Sequence, residues 1–364
     1  MKIAVISITL GAAALLCPEG ALSFDIAGGM MIDSSSNILM RAAGEPGSMS
    51  TVYSDFGQSF AGNYAWYGAS MGLLTNYDAV QIHKHNAGIS RPVVSRERLA
   101  VDVGAACDIV RYGDVTLLRG YNQYSALGKA KRYLTSSTLL RSELAVRGRR
   151  YRLFDSQDFA EGESYVRLDR FFDAGVTLRG QLDLDVRRYA RLPDDPTIML
   201  IGFRGRIARS LGDRCGIWLE LHDRGLIERS TGGAETAGTG SGDVTPSDGA
   251  LGYDRIFLDD RYKFSSYGAR FHGKYILGDR SDVRFEASVA KKTYKGGLMR
   301  YYTYLPPDGW DELEWSVQAS VSCATGYLPR RIHPRFDVYC LKSDASDSGL
   351  SYDSLGFTIG FDIY

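Results

Sequence analysis

The densest cluster of side chains with chemical capability is His83-Lys84-His85-Asn86, with Ser90 just beyond it. Two histidines two positions apart share one face of a strand, which allows a metal pair or a general base, and a nearby serine is the beginning of a nucleophilic site. The plainer reading is that both imidazoles are polar residues of a lumen wall or rim. His222-Asp223 and His333-Pro334 are isolated. The Asp-rich segments contain no Asp-x-Asp-x-Asp-Gly loop for calcium. The glycine-rich run 231–242 lacks the Lys-Ser/Thr ending of a phosphate loop. Cys107, Cys215, Cys323 and Cys340 show no metal-ligand spacing. Cys107, Cys215 and Cys323 each open or close an alternating apolar run, as a small apolar residue on an outward strand face does, so no structural disulfide is expected. The chain is thus expected to hold no metal and no cofactor. An embedded hydrolase survives only as an alternative built on His83, His85 and Ser90.

The charged residues are more informative, because they alternate. Over residues 176–188, Val176, Leu178, Gly180, Leu182, Leu184 and Val186 fall on one face, and Thr177, Arg179, Gln181, Asp183, Asp185 and Arg187 on the other. A strict period of two over more than ten residues predicts a strand with one apolar and one charged face. The pattern recurs. Leu140, Leu144 and Val146 oppose Arg141, Glu143 and Arg147; Ile217, Leu219 and Leu221 oppose Trp218, Glu220 and His222. Tyr267, Phe271 and Tyr275 oppose Arg270, His272 and Lys274; Val283, Phe285 and Val289 oppose Arg284 and Glu286.

The predicted runs are nine to fourteen residues long, whereas strands of soluble sandwiches average about five or six. A tilted strand that crosses a bilayer needs about ten. Tyrosines at predicted strand ends, Tyr151, Tyr189, Tyr262, Tyr294 and Tyr327, suit the same setting. So does the composition, rich in Tyr (23) and Gly (41) and poor in Pro (10). Equal numbers of basic and acidic residues, 43 each, argue against a nucleic-acid partner. A soluble periplasmic all-β protein is the remaining alternative.

The first 23 residues read as a signal peptide. Lys2 precedes the apolar run Ile3–Leu16, and Ala21-Leu22-Ser23 places cleavage before Phe24. A lipoprotein signal at Cys17 is the rival. No later stretch is long and apolar enough for a membrane helix. Residues 24–364 then form one domain. Short turns are predicted at 136–137, 173–174, 211–213 and 277–279; the first three are about 38 residues apart, and a long loop at about 230–260 widens the last gap. Long hairpins of this period give about 16 strands, with 14 and 18 also fitting.

With this signal segment, these long alternating strands and a C-terminal strand reading Leu355-Gly-Phe357-Thr-Ile359-Gly-Phe361-Asp-Ile363-Tyr364, the chain resembles bacterial outer-membrane β-barrel proteins. The resemblance covers residues 24–364. It implies an all-β fold: a closed antiparallel transmembrane β-barrel in the outer membrane of a Gram-negative-type bacterium. It also implies outer-membrane lipids, the barrel-assembly machinery and small solutes as partners. Tyr364 is one residue out of phase with the outward apolar set that ends such strands. Physics gives the same architecture, since in hydrocarbon every backbone N–H and C=O needs an internal partner and only a closed sheet supplies it.

Facing follows from the alternation. Leu178, Leu182, Leu184, Ile217, Leu219, Phe271 and Phe285 are expected to face lipid. Arg141, Arg147, Arg167, Arg179, Asp183, Asp185, Arg187, Arg204, Arg206, Glu220, Arg270, Lys274, Arg284 and Glu286 are expected to line the lumen. Counted over residues 129–292, the lumen-facing set has fifteen bases and six acids, with the balancing acids, Glu161-Gly-Glu163 among them, assigned to loops. The functional expectation is a passive diffusion channel for small solutes, weakly favouring anions. The alternative is a plugged barrel that serves as a surface anchor or as a partner in envelope assembly or export.

Overall fold

A computed structural model describes residues 24–35, 47–74, 81–112, 120–152, 158–189, 197–229, 264–278, 281–295, 309–323, 332–346 and 351–363. The signal segment, the insertion at 230–260 and Tyr262, Tyr327 and Tyr364 lie outside these residues. Sixteen strands follow in chain order: β1 (Phe24–Ser35), β2 (Gly47–Phe60), β3 (Asn63–Leu74), β4 (Gln81–Arg96), β5 (Leu99–Tyr112), β6 (Tyr121–Thr135), β7 (Thr138–Tyr151) and β8 (Phe159–Phe172). They continue with β9 (Val176–Tyr189), β10 (Thr197–Leu211), β11 (Cys215–Arg229), β12 (Ser265–Gly278), β13 (Ser281–Lys295), β14 (Gly309–Ser322), β15 (Ile332–Ala345) and β16 (Tyr352–Ile363). Each strand pairs antiparallel with its chain neighbours, and β1 pairs with β16, so the sheet closes into a barrel with no free edge. Among the described residues no helix is long and apolar enough to cross a membrane; the crossing is made by strands.

The alternation resolves into an outer and an inner face. On the outer face, Leu182 (60% exposed), Phe203 (53%) and Leu221 (58%) are more exposed than most of the charged residues inside. Met199, Ile201, Phe203 and Ile207 of β10 stand beside Val186, Leu184, Leu182 and Leu178 of β9 and Ile227, Leu221 and Leu219 of β11. Eight residue steps of tilted strand, from Met199 to Ile207, make a mostly apolar band about 21 Å tall, near the height of a lipid-facing belt, with Asp223 of β11 beside Phe203. In water such a surface would aggregate; in hydrocarbon it is the stable arrangement.

Six of the seven connections at one end of the barrel are two or three residues long, Glu97-Arg98, Ser136-Ser137 and Asp173–Gly175 among them; the seventh, 323–331, is longer, and those at the other end have six residues or more. In this class the short-turn end faces the periplasm. Gly175 and Gly212 hold the left-handed backbone (φ +71° each) that these tight turns demand.

The closing seam has its own lock. Tyr339 of β15 lies across Gly356 of β16, and its hydroxyl donates to Asp33 of β1 at 3.0 Å. Tyr53 of β2 lies across Gly29 of β1, and its hydroxyl donates to Asp362 of β16. Each tyrosine thus spans the terminal strand beside it to reach the other. A Cβ at Gly356 would sit 2.5 Å from the Tyr339 ring, and one at Gly29 would sit 2.6 Å from the Tyr53 hydroxyl. Both positions require glycine because an aromatic ring lies flat on the backbone there.

Candidate functional site: the charged inner wall

Strand register places Arg141, Arg147, Arg167, Arg179, Asp183, Asp185, Arg187, Arg204, Arg206, Glu220, Arg270, Lys274, Arg284 and Glu286 on the inner face. Leu178, Leu182, Leu184, Ile217, Leu219, Phe271 and Phe285 are on the outer face. The charge balance differs from the sequence expectation. Glu161 and Glu163 are not in a loop: both belong to β8 and project inward, opposite Arg147 and Ala145 of β7. Asp282 of β13 also faces in, beside Lys274 and Arg284. Among described side chains of residues 129–292, nine acids rather than six therefore face the fifteen bases. The acidic signal of β8 was obscured because its outward partners, Ala160, Gly162 and Ser164, are too small to reveal an apolar alternation.

The inner wall is layered. At the loop end of β6–β11, Tyr151, Phe159, Tyr189, Ile198, Leu200 and Leu226 form a buried cluster, with Tyr121 against it. Tyr121 meets Tyr151 edge-on at 5.8 Å, and Phe159 meets Tyr189 at 5.9 Å. Two guanidinium groups are built into this layer. Arg187 sits 3.8 Å above the Phe159 ring and donates to Glu161 at 2.9 Å; Arg149 sits 4.2 Å above Tyr121 and donates to Gln123. Further round, Tyr294 stacks on Trp310 at 4.2 Å and is fully buried. Tyr151, Tyr189 and Tyr294 thus pack inside the barrel rather than at its lipid-facing ends.

Next to this layer the wall opens into a cavity of about 610 Å³. Its charged lining mixes Glu143, Glu163, Asp183, Asp185, Glu220 and Glu314 with Arg204, Arg224, Arg270 and Lys292, and His222 joins them. Most of these charges are paired. Arg204 grips Asp183 with two hydrogen bonds of 2.9 and 2.6 Å; Lys292 meets Glu314 at 2.9 Å; Arg224 reaches Asp185 at 3.4 Å. Arg270 lies 3.5 Å from Glu286.

Toward the short-turn end, β7–β10 carry a basic cluster. Arg141, Arg167 and Arg179 converge on one buried carboxylate, Asp169, at 3.7, 3.4 and 2.7 Å. Arg206, in register with Arg179, lies 4.1 Å above the Trp218 ring and makes no ion pair among the described residues. Four guanidinium groups face two carboxylates, Asp169 and, in register with Arg206, Glu220, which leaves a local surplus of about two positive charges. A second recess of about 500 Å³ at the same end is lined by Lys274, Arg284, Arg335 and His333 with Asp282 and Asp362.

The histidine cluster does not assemble into a catalytic site. His83 and His85 pair with Met71 and Ala69, which share the outer face, so they face outward rather than into the lumen. His85 Nδ1 is 2.8 Å from the Tyr67 hydroxyl on that face. Ser90 has the opposite parity and points inward. His222 and Asp223 are likewise split between the faces, with the His222 ring over Gly268 inside. Glu161, Glu163 and Asp185 bring three carboxylates within reach of one another, but Arg147, Arg187 and Arg224 already hold them. The four cysteines described are free.

No protein-family model matches the chain, and no curated protein matches it in sequence. Solved structures match in fold. The barrel superposes on OccD3 (OpdP) of Pseudomonas aeruginosa with a TM-score of 0.53 and 8% identity, covering 94% of this chain and 91% of that one. For OpdK of the same organism, solved with vanillate, the values are 0.51 and 11%, covering 93% and 98%. For its OprD they are 0.51 and 8%, covering 94% of each chain. With the closed sixteen-strand ring and its apolar belt, these similarities define the class: the chain is an outer-membrane β-barrel protein.

Proposed function

We propose that the barrel is a passive diffusion channel for small solutes whose selectivity is set by the Arg141–Arg167–Arg179–Arg206 cluster rather than by the wall as a whole. The observation that carries this reading is the convergence of three guanidinium groups on Asp169, with Arg206 beside them. Such a cluster on a confined inner wall attracts anions and raises the barrier to cations. Its effect is modest, because salt in the bore screens charge over about 8 Å at physiological ionic strength. Arg187 and Arg204 contribute little to the field, since Glu161 and Asp183 neutralise them.

The expected outcome in planar bilayers is conductance with a reversal potential under a KCl gradient that favours chloride. Arg141→Gln combined with Arg206→Gln lowers the chloride-to-potassium permeability ratio roughly twofold, whereas removal of a neutral pair, Arg204→Gln combined with Asp183→Asn, leaves it nearly unchanged. Equal shifts from both variants would mean that the charge of the whole wall, not this cluster, governs permeation. The plugged-barrel reading has one observation in its favour, the buried aromatic layer at the loop end. Folded protein that shows no conductance over many insertions would select it.

A further inference from the structure

Charged side chains on the outer face of a membrane barrel are costly unless they stand at the edge of the hydrocarbon. The outer face of this barrel carries arginines at both strand ends, and their spacing places them level around the ring. At the short-turn end the series is Arg132 of β6, Arg170 of β8 and Arg209 of β10. Arg132 is in register, through Leu140, with Leu168; Arg170 lies two residues farther along β8. Arg170 is in register, through Leu178, with Ile207; Arg209 lies two residues farther along β10. A step of two residues for each pair of strands is a rise of about 6.6 Å over a lateral distance of about 9.6 Å, an angle of about 35°. Barrel strands tilt by about that angle, so the step cancels the tilt and the three arginines share one height.

The opposite rim obeys the same rule. Arg111 of β5, Arg150 of β7 and Arg188 of β9 step by two residues per strand pair in the same direction. Twelve residues separate Arg150 from Thr138, the register partner of Arg170. At this tilt, that places the two rows about 30 Å apart, the thickness of a bilayer's hydrocarbon core. Two level rows of arginine at that separation mark the two headgroup planes.

In the loop-end row Arg150 is exposed, whereas Arg111 is held. Arg111 is spent on the carbonyls of Val110 and Tyr121 and on Asn122 Oδ1. Arg132, Arg170 and Arg209 are all exposed and make no ion pair among the described residues. Arg170 donates only to the Thr138 hydroxyl, at 2.8 Å, and lies over the Phe172 ring. Phe172 and Leu211, both exposed, extend the apolar surface beside them. On the other side of the barrel the described outer-face lysines are matched: Lys291 with Asp311 at 2.9 Å and Lys342 with Asp344 at 3.1 Å.

From this arrangement we infer that Arg132, Arg170 and Arg209 form a docking arc for anionic phospholipid of the inner leaflet, each guanidinium engaging a headgroup phosphate while the acyl chains lie on the adjacent apolar band. Guanidinium matches phosphate in shape and charge and is less strongly hydrated than ammonium, so it suits a site at the water–hydrocarbon boundary. The site is independent of whether the bore conducts.

The test is native mass spectrometry of the folded barrel, released from micelles containing equal amounts of phosphatidylglycerol and phosphatidylcholine. The wild type is expected to retain phosphatidylglycerol about tenfold over phosphatidylcholine. The triple variant Arg132→Gln, Arg170→Gln, Arg209→Gln loses that preference, and the corresponding triple lysine variant keeps part of it. Heat-modifiable electrophoretic mobility reports folding. If the triple glutamine variant does not fold, Arg132→Gln alone is expected to reduce the preference about twofold. Equal retention of both lipids by the wild type, or an unchanged preference in the folded variants, overturns the inference. So does loss of bound lipid on addition of millimolar inorganic phosphate, which would make the arc a site for the free anion.

Discussion

Glu161 accepts from Arg187 at 2.9 Å on one side and meets Arg147 at 2.8 Å on the other, and its side chain is inaccessible to solvent. Charges this deep are kept by their partners, since each has given up its hydration. Glu161→Gln is expected to destabilise the barrel by about 3–5 kcal/mol, because Arg187 remains buried with no carboxylate opposite it. Arg204 and Asp183 are also bidentate, but both are partly exposed to the cavity. Arg204→Gln is expected to cost about 1 kcal/mol or less. Urea titration of vesicle-embedded protein, followed by heat-modifiable mobility, measures both, and equal costs would refute the distinction. The alternation made the inward direction of Arg187 legible, but its partner was hidden, because Glu161-Gly-Glu163 has the composition of a turn.

At the scale of the strand, period two puts lipid on one side and charge on the other. Leu182, at 60% exposure, stands in the middle of the outer band between Val166 and Phe203. Leu182→Arg should cost about 2–4 kcal/mol in bilayer-embedded protein, the price of a charge near the midplane. Arg132, at the band's edge, should tolerate Leu with a loss below about 1 kcal/mol. The same titration reads both, and a cost at Leu182 no larger than that at Arg132 would contradict the assigned register. The strand glycines require a different argument, because nothing local distinguishes Gly356 from the other glycines in the chain. Gly356→Val pushes Tyr339 off the seam, breaks its bond to Asp33 and should cost about 1–3 kcal/mol. Phe substituted for Tyr339 loses the hydrogen bond alone and should cost about 1 kcal/mol. If the two variants cost the same, the ring's fit on the backbone contributes nothing beyond the hydroxyl.

At the scale of the molecule, closure is the controlling event. Gly28–Ser35 of β1 pair with Gly356–Ile363 of β16, more than three hundred residues apart in the chain. Deleting β16 leaves β1 and β15 each with an unpaired row of backbone donors and acceptors, which hydrocarbon does not tolerate. The truncated chain is expected to give no heat-modifiable band and no protease-protected core in vesicles. A protected, correctly sized core would show that closure is not what stabilises this fold.

The alternation of apolar and charged residues, with run lengths suited to a bilayer, was enough by itself to point to an all-β barrel of about sixteen strands, with 14 and 18 left open, and to the two sides of residues such as Leu178 and Arg179. Those properties are local, since a pleated strand turns every second side chain the same way wherever it ends up. The local charge of the inner wall was decided only by the pairing of strands. Pairing of β7, β8 and β9 brought Arg141, Arg167 and Arg179 onto Asp169, and closure of the ring put Tyr151, Tyr189 and Tyr294 inside. It also joined Asp33 to Tyr339 and set Arg132, Arg170 and Arg209 at one height. Each of these depends on the stagger between strands, and stagger is a property of the closed sheet that no single strand carries.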